Sequence, residues 1–419
     1  MEVSKNVGAI VKNLIDSARE GFNPLPKTTT IYTVPSRLRD LSPNSFTPRL
    51  VSIGPLHKQD MNVQEFEQYK PFIFGDLLKK VDSTLNETTV EACVKKVLAR
   101  LDDIKACYSM TNNTYQDAEL VKMMVMDACY ILFILIHYDL ILTNNRAFLS
   151  TLVPDLVMLE NQIPFFVLRD IFECTVLKFQ PTSYLNMMLL KLLENVKPFE
   201  AELGPEINHA TGTKYDHILD FLHESYEPTS NVSSTGQSFI VPPSYSVTEL
   251  EKAGVKFVLN KDISKCPLAI NFESNWYNPT LRLPLLSIDL YTEVVFYNLI
   301  ALELRRLKTA YFTSYVVAMM NLVKTTEDHL KLEGLKIARN NPSGTQYVVD
   351  LIHNLSKGCD LKEFLYAEDW EKIHKYCNSP IGWTRRTYFS GAWSYIASIS
   401  GLIIFILTVI QTYCSIRGK

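Results

Sequence analysis

The sequence predicts a mainly α-helical protein with a small antiparallel β element and one transmembrane helix close to its C-terminus. Three observations lead to this fold class. Apolar residues recur at intervals of three and four over most of the chain, which is the period of a helix packed on one face. Over residues 255–285 they alternate instead, and over residues 387–416 no Asp, Glu, Lys or Arg occurs.

The helical pattern is clearest over residues 88–108, where Val90 and Val94 begin a repeat with helical spacing. Residues 120–142 are apolar on nearly all sides. A second membrane span there would place Asp127 in lipid, at a cost of at least about 2.5 kcal/mol. We therefore favour a helix at the centre of a globular core.

Three stretches with a period of two predict the β element. Val255, Phe257 and Leu259 alternate with polar residues, and residues 268–272 and 281–285 repeat the pattern. Alternation over so few residues is typical of short, half-buried strands. We expect the three strands to form a small antiparallel sheet.

Composition shifts divide the chain into segments. A run rich in Ser, Thr and Pro is the best candidate for a linker. We expect an N-terminal amphipathic segment at 1–30, a helical core at 31–224, a linker at 225–245, the β element with further helices packed on the core at 246–390, the transmembrane helix at 391–416 and a tail at 417–419.

The predicted transmembrane helix has aromatic and basic flanks, as membrane helices commonly do. Small side chains at Ser394, Ala397, Ser398 and Gly401 would let a second helix approach closely, so self-association is expected. Residues 1–20 contain no signal peptide. The body should then face the cytosol, and we expect the plasma membrane as the location.

The acidic residues within apolar segments are the candidate site. Asp127, Asp155 and Glu160 could converge in a pocket of low dielectric and act as an acid or hold a divalent cation. In the alternative interpretation they are structural, with Asp155 as a helix N-cap and an arginine such as Arg169 as a partner. Standard catalytic motifs are absent from the sequence, and no basic run predicts nucleic-acid binding.

Several segments together resemble a plant family named domain of unknown function 247. The carriers are IYTVPSRLRDLSPNSFTPRLVSIGPLH, MMVMDACYILFIL, DLVMLENQIPFFVL, DHILDFLH, SVTELEKAGVKF, LRLPLLSIDLYTEVVFYNLIALE and the C-terminal apolar run. The family pattern has Tyr and His where this chain has Leu56 and Lys58, which weakens any paired-His metal site. The resemblance implies a single-pass plant membrane protein without established enzymatic activity, in a family with some grass members implicated in self-incompatibility.

These observations favour a membrane-anchored recognition module with no catalysis and no cofactor of its own. Its partners would be the lipid bilayer and an unidentified protein. The alternative is an enzyme that uses Asp127, Asp155 and Glu160. A third possibility is a purely structural tether.

Overall fold

The computed structural model describes most of the chain in several stretches. These are residues 29–81, 87–109, 114–197, 199, 215–226, 243–260, 267–289, 291–306, 310–339, 343–361, 363–388 and 392–417, with the side chains at 388, 392–395, 398 and 414–417 left undescribed. The predicted amphipathic segment at 1–30 and linker at 225–245 lie almost wholly outside the described residues. The chain divides into two compact units, Met1–Asn195 with Glu206–His223, and Val196–Pro205 with Glu224–Lys419.

The regular structure described in the first unit is helical, apart from an isolated bridge between Ile31 and Tyr108. Two 3₁₀ helices, Pro43–Ser45 and Met61–Val63, accompany its α-helices. The α-helices are α1 (Ser36–Arg39), α2 (Gln64–Glu67), α3 (Lys70–Val81), α4 (Glu87–Leu98), α5 (Leu101–Cys107), α6 (Asp117–Ile136), α7 (Tyr138–Asn144), α8 (Arg146–Leu156), α9 (Phe165–Cys174), α10 (Val176–Phe179), α11 (Leu185–Leu193) and α12 (Ile218–Glu224), the last residue of which belongs to the second unit.

Helix α6 is the centre of the first unit, as its all-round apolar sequence predicts. It begins where the Glu119 carboxylate accepts the Gln116 backbone N–H, a capping contact. It is surrounded by α3, α4, α9 and α11. It ends at Ile136, and the chain bends by 67° into α7. The predicted helix 88–108 is also broken, because Arg100 leaves helical geometry and stacks its guanidinium on the Phe166 ring at 3.6 Å.

The second unit contains the sheet and the remaining helices. An aromatic cluster forms part of its core, with ring contacts among Phe199, Tyr226, Phe296, Phe312 and Tyr315. Its elements are α13 (Val247–Lys252), β1 (Lys256–Leu259), β2 (Asn271–Glu273), β3 (Thr280–Leu283), α14 (Thr292–Arg305), α15 (Tyr311–Leu322), α16 (Thr326–Gly334), α17 (Thr345–Gly358), α18 (Ala367–Cys377), α19 (Pro380–Tyr388) and α20 (Ala392–Arg417).

The three predicted strands exist, but the sheet is mixed and the prediction of an antiparallel sheet is wrong in that respect. Strands β2 and β3 form an antiparallel hairpin in which Phe272 faces Leu281. Strand β3 lies in the middle and pairs in parallel with β1, which places Phe257 beside Leu281. The side-chain alternation of a strand is the same in both kinds of pairing, so it cannot reveal strand direction.

The transmembrane prediction for 391–416 is not supported by the length and hydropathy of the described residues. No single described helix is both long and apolar enough to cross a membrane, and the apolar part of α20 runs over Ile399–Tyr413, whereas a crossing needs about 20 mostly apolar residues. The bent pair α6 and α7 passes the same test by length and composition. Helix α6, however, is buried along most of its length, as expected for the predicted core helix.

Candidate functional site

The candidate site lies where an N-terminal loop, residues 31–57, meets the middle of α6 and the C-terminal end of α8 in the first unit. The loop contains little regular structure, so its backbone N–H groups need partners from elsewhere. Asp127 on α6, Asp155 on α8 and Glu160 after α8 each accept such groups. The three predicted acidic residues therefore contact the same loop, each at a different point.

Asp127 is fully buried and binds the last part of the loop. Its Oδ2 accepts the Gly54 N–H at 2.8 Å, and its Oδ1 accepts a hydrogen bond from Lys70 Nζ at 2.6 Å. Lys70 is only 2% exposed. Its ammonium also donates to the Ser52 carbonyl and lies 2.5 Å from Glu67 Oε1. The charge of this buried lysine is thus compensated by two carboxylates and one carbonyl.

Asp155 binds the middle of the loop and is not a helix N-cap, because it lies in the last turn of α8. Its carboxylate accepts the N–H groups of Arg49, Leu50 and Val51 at 2.7 to 3.1 Å. Burial raises the pKa of this carboxyl to about 6, although the three N–H groups act in the opposite direction. The carboxylate holds three successive residues of the loop in one conformation.

Glu160 binds the start of the loop and forms the more accessible edge of the site. It accepts the Val34 N–H at 2.5 Å and a hydrogen bond from Arg39. The Nε2 atom of His57 lies 3.2 Å from its second oxygen, and His57 Nδ1 lies 2.7 Å from Asp60. The predicted arginine partner was the wrong one, because Arg169 lies beside Asp170 and Glu173 instead.

Asn161, Gln162 and Gly54 also belong to the site, although the sequence did not predict them there. Asn161 accepts the Ile53 N–H at 2.6 Å and donates to the Val51 carbonyl. The Gln162 carbonyl accepts the Tyr108 hydroxyl, and Gly54 passes so close that a Cβ there would lie 2.3 Å from that carbonyl oxygen. Three consecutive polar residues within an apolar run, Glu160 to Gln162, were the signal that could have identified them.

The carboxylates hold the loop, and their oxygens are therefore largely occupied by hydrogen bonds and poorly placed to bind a cation. The oxygens of Asp127 and Asp155 already accept strong donors, and both side chains are fully buried. A divalent cation would have to replace backbone N–H groups that then have no partner. Glu160 and His57 lie closest to solvent among the described residues of this site, because their ion-pair partners are partly exposed. The Arg39 side chain, beside Glu160, is 29% exposed, and the Asp60 side chain, beside His57, is 37% exposed.

We expect His57 to make the stability of the fold depend on pH. Burial lowers its pKa, but hydrogen bonds to Glu160 and Asp60 outweigh burial and raise it above the ordinary value. A raised histidine pKa gives stability that is complete below about pH 6.5 and is lost as pH rises through the folded-state pKa.

Denaturant titrations at about pH 6 and about pH 8 measure this dependence. Unfolding free energy should fall over this interval in the wild type by up to about 1 kcal/mol. The His57→Gln variant should show a clearly smaller fall. An equal fall in both proteins would show that His57 is not the group responsible.

An exposed apolar groove is a second feature of the first unit. It has a volume of about 400 Å³ and lies between α3, α4 and α6. Its walls include Phe74, Val94, Leu98 and Val125, and Leu98 is 54% exposed. The groove is open to a partner's apolar side chains, and such concave apolar surfaces commonly bind ligands or helices.

The predicted packing face of the C-terminal helix is described only in part. Ala397 and Gly401 are exposed, and nothing lies within 4 Å of a Cβ built on Gly401. The side chains of Ser394 and Ser398 are outside the described set. Self-association through this face stays a prediction.

Comparison with known proteins identifies the family. A model of a plant protein family of unknown function, domain of unknown function 247, matches residues 31–407. The UPF0481 protein At3g47200 of Arabidopsis thaliana is 27% identical over 426 residues, which cover 92% of this chain and 86% of that protein. The putative UPF0481 protein At3g02645 of the same plant is 22% identical over 506 residues, covering 96% and 93%. No solved structure matches. The chain therefore belongs to the plant family called domain of unknown function 247.

Proposed function

We propose that the protein is held at a membrane by α20 and that its body recognises a protein partner there, with no catalysis of its own. The observation that carries the proposal is the exposure of α20. Every side chain described in this helix is exposed to solvent. A helix that packs on a soluble body buries one face, whereas the described side chains of this helix, at 396–397 and 399–413, bury none.

The exposed side chains of α20 are large and apolar on all sides. Leu402, Phe405 and Leu407 are 59%, 66% and 60% exposed. The six consecutive residues from 402 to 407 are all exposed, and at about 100° per residue they turn through more than a full circle. Removing such side chains from water stabilises by about 1.5–3 kcal/mol each, and a lipid interior can receive them on every side.

The backbone of α20 extends beyond its apolar part at both ends. It has 26 residues, so its length is about 39 Å at 1.5 Å per residue. The hydrocarbon core of a bilayer is about 30 Å thick. The whole helix is longer than this core, whereas its apolar part, Ile399–Tyr413, is shorter. The cytosolic orientation and the plasma-membrane location remain predictions from the sequence.

The recognition part of the proposal has two supports. The carboxylates of the enzyme alternative are committed to holding the N-terminal loop, and Asp127 and Asp155 are fully buried. The groove between α3, α4 and α6 offers an apolar surface for a partner.

The small residues Ala397 and Gly401 would allow a second copy to pair with α20 in the membrane.

Charges in the middle of α20 should release the protein from membranes. We expect the intact wild type to remain in the membrane pellet after alkaline carbonate extraction. The double variant Ile404→Asp with Leu407→Asp should move to the supernatant, because each acid at the centre of a membrane helix costs about 2.5–3.5 kcal/mol.

The matched control exchanges the same positions for isomers, Ile404→Leu with Leu407→Ile, and should pellet like the wild type. Circular dichroism of all three proteins checks that the body is folded. If carbonate extracts the wild type, or if the acidic variant pellets equally well, membrane insertion by α20 is wrong.

Proximity labelling of the full chain in a plant cell tests recognition. A Leu98→Glu substitution in the groove should remove particular neighbours that the wild type labels. The control Tyr184→Glu changes a side chain that is 63% exposed and outside the groove, and it should keep them. Identical neighbours for both variants would contradict recognition through the groove.

A further inference from the structure

Two large aromatic side chains are exposed at the turn between β2 and β3. Trp276 is 70% exposed and Tyr277 is 62% exposed, and their rings meet edge to face with centroids 5.4 Å apart. Turns on protein surfaces are usually made of small polar residues. Adjacent exposed aromatic residues are typical of a surface that binds something.

Arg385 connects this turn to α19. Its Nη2 donates to the Tyr277 carbonyl at 3.4 Å, and its Nη1 donates to the Tyr376 hydroxyl at 3.2 Å. The side chain crosses Gly254, where a Cβ would lie 2.8 Å from Nη1. Gly254 has a φ of +87°, so the local backbone favours glycine and leaves room for the arginine. The turn is therefore fixed beside α19.

Helix α19 carries further exposed apolar residues, and it contacts α20. Trp383 is 49% exposed and Ile381 is 39% exposed. Arg385 and Arg386 lie in its last turn, shortly before the chain reaches α20. Aromatic, aliphatic and basic side chains are thus collected next to the helix whose apolar surface is exposed on all sides.

We infer that Trp276, Tyr277 and Arg385, the aromatic–arginine patch, lie in the headgroup layer of the membrane that α20 enters. Indole and phenol rings favour this layer because they have an apolar body and a polar tip. A partly exposed arginine also favours this layer, because its positive charge is attracted to anionic lipids. The patch would set the orientation of the second unit against the bilayer.

This inference rests on the proposed membrane insertion of α20 and adds a second point of contact. Continuity with α20 favours lipid over a protein partner, because a body tethered by a neighbouring helix brings the patch to the bilayer surface. Basic residues beside the patch also match the negative surface of the cytoplasmic leaflet. A protein partner at the patch is the competing outcome.

Tryptophan quenching in the full-length protein tests the inference. The wild type and the Trp276→Phe variant are reconstituted in vesicles of phosphatidylcholine and phosphatidylserine, and the difference between their emissions reports Trp276. Lipids brominated near the headgroup should quench most of this difference emission, and aqueous iodide should quench little of it.

A matched probe is placed at an exposed position on α16 by adding Leu330→Trp to the Trp276→Phe variant, since Leu330 is 54% exposed. Iodide should quench this tryptophan several-fold more strongly than Trp276, and brominated lipid should leave it unchanged. Equal iodide quenching at both positions, without an effect of brominated lipid on Trp276, overturns the inference while leaving insertion of α20 intact. If the protein fails to float with vesicles, the proposed anchoring and this inference fail together.

Discussion

Replacing Gly54 with alanine is expected to lower the free energy of unfolding by about 3 kcal/mol or more. Gly54 has a φ of +78°, and a Cβ would lie 2.3 Å from the backbone oxygen of Gln162. That oxygen accepts the buried Tyr108 hydroxyl, so it cannot move without losing a hydrogen bond. The substitution therefore adds a backbone clash to the strain of a left-handed conformation.

Substitutions at two other glycines separate the backbone clash from the strain of the left-handed conformation. Gly344 has a φ of +91° and nothing within 4 Å of a built Cβ, so Gly344→Ala should cost only about 1–2 kcal/mol for the backbone strain. Gly75 lies inside α3 with open space around it, and Gly75→Ala should stabilise by roughly 0.5–1 kcal/mol. Urea titrations of the variants measure all three. A Gly54→Ala cost no larger than that of Gly344→Ala would contradict the clash.

Removing the Asp127 carboxylate is expected to cost about 3–5 kcal/mol of stability, because it leaves the buried Lys70 ammonium without one of its partners. The Gly54 N–H also loses its acceptor. An unpaired buried donor costs about 1–3 kcal/mol by itself. The measurement is the free energy of unfolding of Asp127→Ala in urea at neutral pH.

An exposed ion pair supplies the control. Lys191 Nζ lies 2.7 Å from Asp139, and their side chains are 54% and 76% exposed. Asp139→Ala should cost no more than about 1 kcal/mol, because water screens such pairs. The double variant Lys70→Met with Asp127→Leu should lose less stability than the two single changes together. Strict additivity would show that the buried pair is not coupled.

The sequence predicted the elements of the fold better than their connections. The all-round apolar run of α6 identified a core helix, and three short alternating stretches identified the strands. The strand order was hidden, because β1 pairs with β3 across a long connection and alternation carries no direction. Helix α16 was missed, because its sequence is mostly polar and two of its three buried residues, Asp328 and His329, are polar themselves.

The site was predicted as residues but not as an arrangement. Asp127, Asp155 and Glu160 were identified because acids are rare in apolar runs. Their partners are main-chain N–H groups of a loop 73 to 126 residues earlier in the chain. Any residue but proline offers such a group, so sequence gives no sign of which ones are used. Gly54 is of the residue type that close backbone approach commonly requires, but the sequence alone did not predict its role.

The long separation between the N-terminal loop and its acids has a consequence for the order of folding. During synthesis the loop leaves the ribosome well before Asp155 and Glu160, which it needs for its hydrogen bonds. Contacts of such high sequence separation form slowly, because a long chain segment must first be closed. Until then the backbone of the loop lacks these partners and is open to aggregation. The nascent chain therefore passes through a stage in which a chaperone would protect this loop.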